Sequence, residues 1–204
     1  MLEERAQDLA LKWRKKFGIE GQLNLDALTL IYKAKNAGLI AGYKRILDDQ
    51  MPSDEAAFDN ETRILLIAER TFRAAANGDY RAKFTICHEL GHAAFNHKTL
   101  RHRGTSSLVH NIASNQKRIH EKEANAFASA FLMPFNLIDN PSNAEANEIS
   151  ERFQVSLSAA RIRVEEARAM ENRKSGGRRQ PPREVVEYLN EKKKMGHRVT
   201  SIDD

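Results

Sequence analysis

Residues 84–97 read FTICHELGHAAFNH, and the run His88-Glu89-Leu90-Gly91-His92 inside them decides how the rest of the chain is read. The segment has the spacing of an amphipathic helix over roughly residues 80–96, with Asp79 placed to cap its start. Histidines four apart on a helix lie on one face, so both imidazoles can bind one ion. Glu89 stands beside the first of them, within reach of a water that such an ion activates. Zinc lowers the pKa of its water to about 7, so a neighbouring carboxylate can take the proton at neutral pH. The expected cofactor is Zn2+, with His88 and His92 as ligands and Glu89 as the catalytic base.

A catalytic zinc site usually has three protein ligands and an open position. One extended form of the motif places Gly three residues and His six residues after the second histidine. Phe95 and Lys98 stand there, so that form fails, and His97 reads as a helix-end residue or loop anchor. The other source of a ligand is a carboxylate on a second helix. Residues 121–134 read EKEANAFASAFLMP, in which Ala124, Phe127, Ala128, Phe131 and Leu132 make a core-facing stripe. Glu121 and Asn125 share a face beside that stripe. Glu123 points about 160–200° away from Glu121 on an ideal helix and is the weaker candidate. Asn125 is placed to accept a hydrogen bond from a ligand imidazole and fix its orientation.

Together, RAKFTICHELGHAAFNH, EKEANAFASAFLMP and the later EISERFQVSLSAARIRV resemble the ImmA/IrrE family of metallopeptidases. The resemblance covers roughly residues 5–170. It implies a thermolysin-like site on a compact α+β domain, with the first Glu of the ExxAN element, here Glu121, as the third ligand. It also implies an endopeptidase whose substrate is a helix-turn-helix transcriptional repressor or antitoxin-like regulator, cut to switch genes on. The chain departs from the family's pattern in three places. Cys87 stands where a small residue is common, residues 98–117 read as a long loop, and nothing after 171 matches.

Outward from the motif, Ala6, Leu9, Ala10, Trp13 and Phe17 predict a first helix stopped by Gly18, and Leu25, Leu28, Ile31 and Ala34 a second, stopped by Gly38. Residues 39–47 read as extended, MPSDE as a loop, and Ile64–Ile67 as a buried strand, together a small antiparallel sheet. A turn of helix is expected over Arg70–Ala76, a helix near 118–133 that ends at Pro134, and a helix-turn-helix-like pair over about 145–170. The fold class expected is α+β: a compact, mainly helical zinc-peptidase domain with a small antiparallel sheet, followed by the helix-turn-helix-like element. The divisions are 1–134 for the peptidase domain, 135–170 for a helical extension packed on it, and 171–204 for a basic linker and tail with one short helix.

The chain has 204 residues and one cysteine, which excludes an internal disulfide framework and fits a reducing compartment. No stretch approaches the roughly 20 apolar residues that span a bilayer, and the N-terminus lacks the form of a secretory signal. A cytoplasmic protein without a membrane partner is expected. The net charge of +5 fits solvated helix faces or weak nucleic-acid contact through the basic C-terminal region.

Cys87 reads as a buried small residue behind the zinc helix, with a redox thiol as the alternative. An oxyanion stabiliser is also needed. Tyr80, His102, His110 and His120 are candidates that the sequence does not separate. The alternative function is a non-proteolytic zinc-containing regulator that binds DNA or a repressor through residues 145–170, with Arg161, Arg163 and Arg168 on its second helix.

Overall fold

The computed structural model describes residues 2–97 and 107–174, with the backbone alone for 107–114 and 174. The chain divides into two units, Met1–Ala167 and Arg168–Asp204. The first unit holds the helices and strands, and its last helix continues to Lys174.

Helix α1 (Leu2–Phe17) starts with Glu3 and Glu4 and finishes with Arg14, Lys15 and Lys16, each sign at the end of the helix dipole that favours it. It stops where Gly18 takes φ +63°, a conformation that suits a residue without Cβ. Helix α2 (Ala27–Asn36) is capped by Asp26, whose carboxylate accepts the Thr29 N–H at 2.7 Å.

Three strands follow: β1 (Gly42–Ile46), β2 (Ala56–Asp59) and β3 (Ile64–Ala68). β3 lies in the middle, pairing parallel with β1 (Tyr43 opposite Leu65) and antiparallel with β2 (Phe58 opposite Leu65). The sheet is therefore mixed, where the sequence predicted an antiparallel one. The cause is β2. Its sequence AAFD holds one bulky strand former, too little to mark a strand. Once β2 takes the hairpin with β3, only the far edge of β3 is left for β1. The chain between β1 and β2 then brings β1 alongside β3 in the parallel sense.

The remaining elements are helical: α3 (Glu69–Ala76), α4 (Tyr80–Phe95), α5 (Ser107–Leu132), a 3-10 turn (Phe135–Leu137), α6 (Ala146–Phe153) and α7 (Leu157–Lys174). α5 begins at Ser107, so the later part of the expected 98–117 loop is helix instead. That part carries no apolar period. Extending a helix already nucleated by the packed residues beyond it costs little per residue. Residues 98–106 lie outside the described residues. Of the expected linker, 171–174 belong to α7, and the remainder and the tail lie outside the described residues.

α5 is the central helix, with α1 and α4 packed against it. Phe127, Phe131, Ile86, Leu90, Leu65, Ile67, Leu30 and Phe153 share one buried core. Two arginines are sunk into this core. Arg14, fully buried, donates to the carbonyls of Phe131 at 2.6 Å and Ile19 at 2.9 Å, and to that of Gln22. It ties the end of α1 and the following turn to the end of α5. Arg163 donates to the Met133 carbonyl at 2.7 Å, to Glu166 at 2.9 Å and to Gln7, with its guanidinium 3.5 Å over the Phe135 ring. Burial lowers both guanidinium pKa values to about 10, and carbonyl and amide oxygens replace the lost water.

Gly91 sets the approach of α4 to α5. A Cβ there would lie 3.0 Å from both Cα and O of Ala124 and 3.2 Å from a ring carbon of Phe127. Two of these neighbours are backbone, so the helices would have to move apart. His88 precedes Gly91 by three residues and Glu121 precedes Ala124 by three, so each sits about one turn from the contact. Gly91→Ala is expected to cost about 1–3 kcal/mol by overpacking, read as a lower denaturation midpoint with an unchanged m-value.

Candidate metal centre

Helix α4 is capped by Asp79, which accepts the Ala82 N–H at 2.7 Å, and it runs unbroken past His92 to Asn96. His88 and His92 lie on the same face, their rings edge to face with centroids 4.8 Å apart. Their Nε2 atoms point at each other over 3.0 Å. Glu121, on α5, sets Oε2 3.2 Å from His88 Nε2 and Oε1 3.8 Å from His92 Nε2. Donor atoms about 2.0–2.1 Å from a tetrahedral ion stand roughly 3.3 Å apart. The separations of 3.0, 3.2 and 3.8 Å lie around that value, the last two to different oxygens of the one carboxylate, so the two imidazoles and Glu121 stand close enough to share a zinc-sized cation.

Glu89 is a second carboxylate near the same nitrogens. His88, Glu89 and His92 offer donor atoms within 4.8 Å of one another, so distance alone admits Glu89 as a ligand. Its contacts separate it from Glu121. Glu89 Oε1 is 3.9 Å from His88 Nε2, and Oε2 accepts the backbone N–H of Phe58 on β2 at 2.8 Å. The sheet edge thus holds Glu89 back from the histidines. Burial pushes its pKa up to about 8, with the charges of Glu121 and Asp54 adding and the Phe58 N–H opposing. A carboxyl raised in this way exchanges a proton near neutral pH.

Burial, followed by the neighbouring rings of His88, His97 and His120, depresses His92 to about 3. Its imidazole is therefore neutral and has a lone pair to give. His88 Nδ1 lies 2.9 Å from Asn125 Oδ1, which accepts the Nδ1 proton and leaves Nε2 free. Behind His92 lies a further set of groups. His92 Nδ1 is 3.0 Å from His97 Nδ1, and His97 Nε2 is 2.9 Å from Glu123 Oε2.

The structure therefore brings His88, His92, Glu89, Glu121 and Asn125 together. It leaves Tyr80 apart from this set and His120 close behind it. Tyr80 opens α4, eight residues and so roughly 12 Å before His88, and is 42% exposed. The His120 ring stacks on that of His97 at 4.1 Å. His102 and the side chain of His110 lie outside the described residues. Cys87 is fully buried, and desolvation raises its thiol to about 12, which fits the packing reading and removes the thiolate that redox chemistry needs. The Phe58 N–H and the pair His97–Glu123 were not found by sequence reasoning. The first has no side-chain signal. The second carried only a spacing, His97 five residues after His92 and Glu123 two after Glu121.

A helix bearing His-Glu-x-x-His, crossed by a second helix that offers a carboxylate and edged by a small mixed sheet, makes an α+β domain with a candidate metal centre. The profile of the IrrE N-terminal-like domain (Peptidase_M78) matches residues 45–165, and the chain belongs to that family. Membership suggests a metallopeptidase or a regulator of the IrrE/ImmA type. Among solved structures, a Mycobacterium tuberculosis transcriptional regulator is similar over 78% of this chain and 51% of its own, at 18% identity and a TM-score of 0.44. The chain thus spans about half the length of that protein. No curated protein gives a match. Among the described residues, no helix is long and apolar enough to cross a membrane.

Proposed function

We propose that the chain is a zinc-dependent endopeptidase acting on a helix-turn-helix repressor or antitoxin-like regulator. The observation that carries this reading is the convergence of His88, His92 and Glu121 on one point, with Glu89 held beside it by the Phe58 N–H. His88, His92 and Glu121 would hold the zinc, which when bound supplies Lewis acidity toward a water and a peptide carbonyl. Glu89 takes the proton of the attacking water and returns it to the leaving amine. Asn125 orients the His88 ring. We take residues 1–134 as the peptidase domain, 135–170 as its helical extension, and the cytoplasm as its compartment.

The DNA-binding alternative is weaker for a specific reason. Arg163 is 2% exposed and engaged with Met133, Glu166 and Gln7, so a phosphate cannot use it without breaking the core. The test is to incubate the zinc-loaded chain with a small helix-turn-helix repressor encoded by a neighbouring gene, and to map products by mass spectrometry. One defined cut is expected, abolished by a chelator and restored by zinc. An intact repressor at equimolar enzyme would overturn the substrate assignment.

A further inference from the structure

The set of buried groups behind His92 has one consistent arrangement of protons. A ligand imidazole must keep the Nε2 lone pair free, so His92 carries its proton on Nδ1. That proton faces His97 Nδ1 at 3.0 Å, which must then be the acceptor. His97 in turn carries its own proton on Nε2, 2.9 Å from Glu123 Oε2. The other oxygen of Glu123 accepts from Arg5 at 3.1 Å. Every donor meets an acceptor, and the chain ends on a carboxylate charge.

Local backbone geometry makes this possible. Were α4 to continue, a residue five positions after His92 would lie about 140° round the helix from it. Instead Asn96 takes φ +55°, and the His97 N–H returns to the His92 carbonyl at 3.0 Å. His97 is turned back behind the ring of His92. Its own ring is held in plane between Phe95 (5.3 Å, 3°) and His120 (4.1 Å, 10°). The side chains of His97 and Glu123 are only 7% and 12% exposed, so water competes poorly for these bonds.

We propose that His97 and Glu123 are positioning residues for the metal site, fixing the tautomer and ring angle of His92 and carrying a carboxylate charge to it through two hydrogen bonds. The two histidines are thereby unequal, since His88 is backed by the neutral amide of Asn125 and His92, through His97, by the carboxylate of Glu123 on α5. Partners behind a ligand histidine typically set 10–100-fold in metal affinity. The inference rests on His92 being a metal ligand, as in the proposed function.

The test uses the full chain, zinc alone as probe and competition with a chelator at fixed pH. His97→Phe keeps the stacking between Phe95 and His120 but removes both nitrogens, and is expected to weaken zinc binding about 10–100-fold. Glu123→Gln keeps the shape and an acceptor while removing the charge, and a smaller loss, about 3–10-fold, is expected. Because the groups act in series, adding Glu123→Gln to His97→Phe should lower affinity no further. A purely structural pair would not show that, and neither would it shift the visible absorption of the cobalt-substituted protein, which both variants should do. If His97→Phe does not fold, Glu123→Gln decides alone. Zinc affinity within twofold of the unmodified chain in the folded variants overturns this inference and leaves the metal site standing. A chain that takes up no zinc at all overturns both.

Discussion

Glu89→Gln is expected to abolish peptide hydrolysis while leaving the metal in place. Loss of a positioned general base lowers turnover on the order of 10²–10⁴-fold. The replacement should otherwise be silent, because a glutamine oxygen can still accept the Phe58 N–H that the carboxylate accepts at 2.8 Å. Zinc content, measured on the purified variant, should match that of the unmodified chain. The substitution also carries a stability signature with a definite sign. The carboxyl stands at about 8 in the folded chain against an ordinary 4.5. Between those values the folded state holds a proton that the unfolded state has released, so stability falls as pH rises. In the metal-free protein Glu89 contributes this decline from about pH 4.5 to 8, against the rise below about 6.5 that the depressed His92 contributes, so the difference between the unmodified chain and Glu89→Gln isolates it. Denaturant titrations of both proteins at pH 5 and pH 8 read it directly. Normal hydrolysis by the variant would remove Glu89 from its assigned role.

The same residue shows what a sequence can and cannot carry. Its position beside His88 follows from the motif, because helical spacing is local. That it is held off the histidines by Phe58 depends on β2, four residues whose single bulky side chain is too little to mark a strand. The helices around the site were legible from apolar period and caps: Asp79 starts α4 and Gly18 ends α1, as side-chain chemistry requires. The sheet's parallel pairing was not legible, since nothing local in Gly42–Ile46 states which edge of β3 it meets. His97 reads as a helix-end residue and stands just past the end of α4, but nothing local says that Asn96, in the left-handed region, reverses the chain so that the ring returns to His92. Arg163, which stands on the second helix of the pair read as a possible DNA- or repressor-binding element, is a core residue. Charge alone does not separate a solvated arginine from one whose donors are satisfied by carbonyls.

Glu121→Ala is expected to strip the metal from the protein without unfolding it. The Glu121 side chain is 45% accessible, so truncating it opens no cavity in the core. Its oxygens nevertheless lie 3.2 and 3.8 Å from the two imidazole nitrogens, the spacing that a shared tetrahedral ion demands. Structural zinc sites gain about 10–16 kcal/mol over four ligands, or roughly 3 kcal/mol for each. Losing one should weaken zinc binding roughly 10²–10³-fold. Chelator competition should therefore rank the variants, with Glu121→Ala far weaker than His97→Phe, and Glu89→Gln close to the unmodified chain. That ranking separates the two carboxylates that crowd the site. Were Glu89 the third ligand and Glu121 a bystander, the order of those two variants would invert, and the acid–base role would have to move to α5. The circular dichroism and denaturation midpoint of metal-free Glu121→Ala should match those of the unmodified chain. Any loss of binding then reports on coordination and not on folding.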